Sequence, residues 1–282
     1  MQSSPSRKAR LGALIASPFA HRGLHGSGRV ENSRAAFEAA IAAGHGIELD
    51  VQVSADGQAL VIHDYDLDRL AEATGPICGM VAAELEKIRL RGADETIPSL
   101  SRILALIDGR APLLIEVKSP GRRPLHHASH VLERDRVPRT RSWTASGSPK
   151  LLHPPHRFAT GRNVAALSGA VRADLRGYKG PVAVMSFNPE IGHWFARHAP
   201  EVLRGLVVTE AGKSWRGWLS RRFALWRARP DFLAYDIRDL PSRFAAAQRA
   251  KGLPTLTWTC RSDTDRMRAA LHADQIIYEL AG

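Results

Sequence analysis

Short runs of β-forming residues alternate with stretches of helical periodicity along most of the chain, and this alternation restricts the fold more than any other feature. Ser17 to His21 leads into the helical pattern Ser33 to Ala43; Gly46 to Val53 and Ala59 to His63 follow, then Ser99 to Ile107 and Pro112 to Lys118. The rhythm resumes with Val164 to Leu175, Pro181 to Ser186, Pro189 to His198 and Arg204 to Val208. Asp231 to Asp236, Pro241 to Lys251, Pro254 to Thr259, Asp263 to His272 and Gln275 to Tyr278 complete it. Strands that alternate with helices pair in parallel through helical crossovers. A length of 282 residues suits one (β/α)8 TIM barrel. There are nine strand candidates, one too many for that barrel. Asp56-Gly57 is a strong turn signal, so Glu48 to Val53 and Ala59 to His63 are expected to form a local hairpin rather than two staves. A doubly wound open sheet is the competing arrangement. It should carry a glycine-rich phosphate loop after an early strand, and Gly23 to Gly28 lacks that spacing. The expected organisation is an N-terminal extension over residues 1–15 and a single barrel over 16–282, interrupted at 119–162.

That interruption carries much of the charge. The chain has a formal net charge of +12, which ordinarily points to nucleic acid or an anionic membrane as partner. Between Ser119 and Arg162, eight Arg and one Lys face only Glu133 and Asp135, a net +7 in one segment. The segment has little apolar periodicity and reads as an exposed basic insertion or disordered loop, so a nucleic-acid-binding role is disfavoured. No chemistry is assigned to its His126, His127, His130, His153 or His156. No apolar run approaches the roughly 20 residues of a membrane span. The N-terminal apolar stretch, Leu11 to Ala16, is shorter than the roughly 7 to 15 residues of a signal-peptide core. Cys78 and Cys260 are too few for a disulfide framework, and a cytoplasmic location is expected.

Four short motifs stand at the ends of expected strands: His21-Arg22-Gly23, Glu48-x-Asp50, His63-Asp64 and Glu116-x-Lys118. In a parallel barrel the strand C-termini share one face, so the four should converge. Ile47, Leu49 and Val51 alternate with Glu48, Asp50 and Gln52, so a barrel strand here must turn its carboxylates to the lumen or mouth. Buried carboxylates need partners. A hard divalent cation, Mg2+ or Ca2+, answers that need with Glu48, Asp50 and Glu116 as oxygen ligands. The competing reading is a set of buried salt bridges to Arg22 and Lys118.

The run AHRGLHGSGRVENSRAAFEAAIAAGHGIELDVQVSADGQALVIHDYDLDRL, from Ala20 to Leu70, closely resembles the glycerophosphodiester phosphodiesterase family in the order and spacing of HRG, EN, ELD and HD. The resemblance continues through IPSLSRILALIDGRAPLLIEVK, MSFNPE at Met185 to Glu190 and LTWT at Leu256 to Thr259. It implies a barrel of the phospholipase C-like phosphodiesterase type and metal-dependent hydrolysis of a glycerophosphodiester to an alcohol and glycerol 3-phosphate. His21 and His63 would be the general acid/base pair, Glu48, Asp50 and Glu116 the metal ligands, and Arg22 and Lys118 phosphate contacts. A lysophospholipase D-type activity, with peripheral membrane contact, is the nearest alternative.

Two further positions stay open. Asn32 either binds substrate or metal-bound water, or else Asn32 or Ser33 simply caps the helix beginning near Arg34. Trp258 either packs against the glycerol carbons or belongs to the core. The chain also departs from the family: Val30 stands where the family has Pro, Ser33 where it has Thr, and the last strand reads IIYELAG, leaving Glu279 in place of an Asp.

Overall fold

In a computed structural model, which describes residues 6–119, 161–210 and 215–280, eight parallel strands close into a barrel. The strands are β1 (Phe19–Ala20), β2 (Gly46–Val53), β3 (Ala59–Val61), β4 (Leu113–Val117), β5 (Val182–Ser186), β6 (Leu203–Val208), β7 (Phe232–Asp236), β8 (Thr255–Cys260) and β9 (Gln275–Tyr278). β1 pairs in parallel with both β2 and β9, which shuts the ring and excludes an open sheet. β3 is the surplus strand. It runs antiparallel to β2, with Val51 opposite Val61 and Val53 opposite Ala59, as the Asp56-Gly57 turn requires. The Ser54 hydroxyl donates to Asp56 and accepts from Gln58 N–H, and Gly57 takes the φ of 82° that closes the turn. The basic stretch at 120–160 lies outside the described residues.

Alternation along the strands sorts the side chains into two layers. Ile47, Leu49 and Val51 of β2 and Leu113, Ile115 and Val117 of β4 face outward into the main core against the surrounding helices, among them Leu100–Ile107 and Pro189–His198. Their neighbours Glu48, Asp50, Leu114 and Glu116 therefore face the lumen. The register sets Glu48 beside Leu114 and Asp50 beside Glu116, so the carboxylates sit in the upper part of the barrel. Below them the lumen is filled by Phe19, Leu114, Met185, Phe232, Leu256 and Ile277. Leu14, from the helix Arg7–Leu14, is wholly buried in this inner cluster, and Arg7 ties that helix to Asp231 and to the carbonyls of Pro200 and Val202.

Besides the helix Arg7–Leu14, two elements are absent from the sequence-based expectation. Residues 64–99 form an irregular lobe around Leu67, Ile77, Leu85, Leu90 and Ile97, pinned by isolated bridges such as Ala71 to Leu90. The helix Trp215–Ala228 follows β6 and has bulky apolar residues on its exposed side, which hides the usual polar-out pattern. No described helix is long and apolar enough to cross a membrane.

Candidate active site

The four motifs meet at the mouth of the barrel. Ligand oxygens of Glu48, Asp50 and Glu116 all lie within 4.8 Å of one another, and all three residues are buried. Asp50 is anchored from several sides. Asn32 Nδ2 donates to its Oδ2 at 3.0 Å, Lys118 Nζ lies 2.9 Å from its Oδ1 and Arg22 Nε lies 3.4 Å from its Oδ2. Lys118 also donates to Glu116 Oε1 at 2.7 Å. Burial pushes the Asp50 carboxyl up, but Lys118, His63, Arg22 and His21 together outweigh burial and hold it well below the usual carboxylate range. For Lys118, burial opposes the charge and Asp50 and Glu116 restore it, so its ammonium is held above its ordinary value. Glu48 is the member left over. Its Oε1 is buried with no hydrogen-bond partner, and burial, Asp50 and Glu116 push its carboxyl well above the usual range.

Three buried carboxylates therefore share two part-buried cations, and the inner site is one positive charge short. The salt bridges of the competing reading do form, but they do not balance the set. A hard divalent cation fits the remainder: the donors are all oxygen, Glu48 Oε1 and Asp50 Oδ1 are buried without a hydrogen-bond partner, and the ligand atoms converge.

The HRG turn is shaped by backbone as much as by side chains. Arg22 has φ 57° and Asn32 φ 56°, the left-handed region that non-glycine residues rarely enter. The Arg22 N–H is thereby delivered to Glu48 Oε2 at 3.1 Å, and Asn32 N–H closes on the Arg22 carbonyl at 2.9 Å. This departure from the ladder ends β1 at Ala20, one residue short of the expected His21. Gly23 is required beside it, because a Cβ there would lie 2.9 Å from both Ala36 and Phe37. Ser33, not Asn32, caps the helix Arg34–Ala42 by accepting from Ala36 N–H, which leaves the Asn32 amide to Asp50.

Each imidazole is held at Nδ1 by a carboxylate. His21 Nδ1 is 2.5 Å from Glu279 Oε1, and its Nε2 is 3.9 Å from Glu48 Oε2. His63 Nδ1 is 2.7 Å from Asp64 Oδ1, and Gln52 Nε2 donates to the His63 carbonyl at 2.9 Å. Burial holds the His21 imidazole below its ordinary value against the opposing pull of Glu279. Arg261 grips the far side of Glu279 at 2.6 Å, so Glu279 is built into the site. Behind these groups runs a chain of ion pairs that the motifs only partly disclose. Arg22 binds Glu31 at 2.7 Å, and Arg69 binds both Glu31 and Asp64, at 2.8 and 2.6 Å. Arg69 sits in the irregular lobe, where nothing in its local pattern marks it, and it couples the EN motif to the HD motif. Trp258 is half-buried, donates Nε1–H to the Ala234 carbonyl at 2.9 Å and meets Phe187 edge to face at 5.5 Å.

The fold and this mouth define a (β/α)8 barrel with an acidic, histidine-flanked centre at the C-terminal face of its strands. The model of the glycerophosphoryl diester phosphodiesterase family matches residues 21–279, and the chain belongs to that family. A glycerophosphodiester phosphodiesterase of Bacillus altitudinis is 38% identical over 108 residues, covering 36% of this chain and 43% of that protein. Human glycerophosphodiester phosphodiesterase 1 is 32% identical over 129 residues, covering 42% of this chain and 37% of the human protein. The chain thus spans less than half the length of these curated relatives. Among solved structures, a phosphodiesterase of Oleispira antarctica in complex with sn-glycerol-3-phosphate has a TM-score of 0.70 at 19% identity, covering 94% of this chain and 93% of that one. A glycerophosphodiester phosphodiesterase of Thermotoga maritima has a TM-score of 0.64 at 20% identity, covering 92% of each. At these identities the structures speak for the fold.

Proposed function

We propose that the chain hydrolyses glycerophosphodiesters to an alcohol and glycerol 3-phosphate, with a divalent cation held by Glu48, Asp50 and Glu116. The observation that carries this reading is the charge deficit among the three buried carboxylates, flanked by two carboxylate-anchored imidazoles. A phosphodiester anion repels its nucleophile and expels a poor alkoxide, so the reaction needs charge neutralisation together with an acid and a base. When bound, Mg2+ or Ca2+ supplies positive charge for the nonbridging phosphate oxygens. Arg22 presents a planar fork suited to phosphate, and Lys118 adds a compact charge beside it. With Nδ1 committed to Glu279 and to Asp64, His21 and His63 exchange protons through Nε2. One takes the proton of the attacking oxygen, that of water or of the glycerol 2-hydroxyl, and the other gives one to the leaving oxygen; on the second route water then opens the cyclic phosphate by the same proton transfers in reverse. Asn32 orients Asp50, and the Trp258 ring packs against the glycerol carbons. Glycerol 3-phosphate, the molecule held by the Oleispira antarctica structure, is the product assigned here. Two unpaired cysteines, one of them exposed, suit a reducing, cytoplasmic setting.

The test is release of glycerol 3-phosphate from glycerophosphocholine, with EDTA, with Mg2+ and with Ca2+. Wild type should be active only with a cation, and His21→Ala should lose about 10²- to 10⁴-fold, the usual share of a general acid or base. Turnover that survives both EDTA and the substitution would overturn the reading.

A further inference from the structure

The helix Trp215–Ala228 has an outer face unlike that of any other described helix in the barrel. Trp218, Leu219, Phe223 and Trp226 are 45%, 47%, 58% and 66% exposed, the largest such group on one described element. At about 100° per residue these four and Arg222 fall within an arc of roughly 140°, one continuous face of the helix. Ala228, on the opposite side, is buried, and Arg227 reaches Glu190 of the helix Pro189–His198 at 2.8 Å. The outer residues are organised among themselves: Arg222 lies over the Trp218 ring at 4.8 Å, and the Phe223 and Trp226 rings meet at 5.7 Å.

Charge on this face has one sign, since Arg222 is the one charged residue among the five, while Arg221 and Arg227, off the face, pair with Glu210 and Glu190. The helix contains no Asp or Glu in fourteen residues and four Arg, Arg216, Arg221, Arg222 and Arg227. Arg227, Arg197 and Arg229 gather about His193 against the single carboxylate of Glu190, so the balance near the end of the helix is positive. The exposed Met267 and Leu271 on the helix Asp263–His272 offer a contrast, because that helix opens with Asp263 and Asp265.

From these observations we infer that the face of Trp218, Leu219, Arg222, Phe223 and Trp226 docks the protein on an anionic lipid surface. Aromatic rings and arginines on one helical face are the composition of helices that lie in the interfacial plane, where Trp seats at headgroup depth and Arg meets lipid phosphate. The exposed apolar area is on the order of 450 Å², taking whole side chains at about 150–250 Å² for the aromatics. A second copy would set two such faces together, each carrying Arg222 and no carboxylate, so it is the poorer occupant. The inference is independent of the reaction assigned above. The face runs from Trp218 to Trp226 along a helix packed on β6, so docking would lay that flank of the barrel on the lipid.

The experiment is sedimentation of the full chain with vesicles of phosphatidylcholine alone or mixed with phosphatidylglycerol, at low and high salt. Wild type should partition to the mixed vesicles at least tenfold more than to phosphatidylcholine, and less at high salt. Trp218→Ser/Phe223→Ser/Trp226→Ser should lose that partitioning at least tenfold, and Arg222→Glu about threefold or more, with thermal unfolding and turnover of a soluble substrate unchanged. Absence of wild-type partitioning, or equal partitioning by the triple variant, would overturn the assignment. So would a wild-type dimer in sedimentation equilibrium that becomes monomeric in the triple variant, since the face would then be an interface between copies.

Discussion

Replacing Lys118 with methionine tests the charge balance of the mouth directly. The change keeps a chain of similar length but removes the ammonium that lies 2.9 Å from Asp50 and 2.7 Å from Glu116. Deleting one partner of a buried pair costs about 3–5 kcal/mol, because the other is left uncompensated. An unfolding entropy of about 2.1 cal/mol/K per residue over 282 residues is about 0.6 kcal/mol/K, so the melting temperature should fall by about 5–8 °C in EDTA. The loss should depend on pH. The Glu48 carboxyl is pushed up by burial, Asp50 and Glu116, and Lys118 is the largest charge pulling it back, so its removal pushes Glu48 higher still. A carboxyl raised on folding makes the folded state bind more protons. Its contribution is complete below the ordinary glutamate range and is lost as pH rises through the folded value. The deficit of Lys118→Met should therefore be larger at pH 8 than at pH 5. Mg2+ or Ca2+ at about 100 times its dissociation constant returns about 2.7 kcal/mol, roughly 4–5 °C by the same entropy. Scanning calorimetry at both pH values, with EDTA and with each cation, reads all of this. A variant that melts within a degree of wild type in EDTA at pH 8, or no response of either protein to a cation, would refute the charge argument.

Two other perturbations probe the site and its support. Glu279→Gln keeps a hydrogen-bond acceptor for His21 but removes the charge that Arg261 grips, so kcat should fall at least about tenfold with KM little changed; steady-state kinetics on glycerophosphocholine checks it, and an unchanged kcat would reduce Glu279 to the end of a strand. Gly205→Ala drives a methyl into the Phe232 ring and sets it 2.9 Å from Met185 Cβ in the closed lower lumen. That overpacking should cost about 1–3 kcal/mol, visible as a lower urea midpoint, and an unchanged midpoint would mean the lumen has slack.

What the sequence disclosed, and what it withheld, follows from the kind of signal each feature leaves. Glu48 and Asp50 were legible as lumen-facing because Ile47, Leu49 and Val51 between them cannot face water, and the structure buries those three outward. The hairpin of β2 and β3 was legible because Asp56-Gly57 admits few backbone conformations. Periodicity had nothing to report in the lobe at 64–99, whose residues pack around one another through isolated bridges, and so Arg69 stayed hidden although it joins Glu31 to Asp64. The helix Trp215–Ala228 was missed for the opposite reason, since apolar residues occupy its outer face as well as its inner one.

Arg22 and Lys118 show a third limit. Sequence similarity implies phosphate contacts at both positions, whereas in the structure each cation is already committed to carboxylates, Arg22 to Glu31 and Asp50 and Lys118 to Asp50 and Glu116. Two positive charges cannot neutralise three buried carboxylates and a phosphodiester together. Positive charge from a bound divalent cation would release part of that commitment, so the phosphate contacts and the metal site are one electrostatic unit. Substrate affinity should then rise with cation occupancy, and Lys118→Met should weaken that dependence as well as the fold.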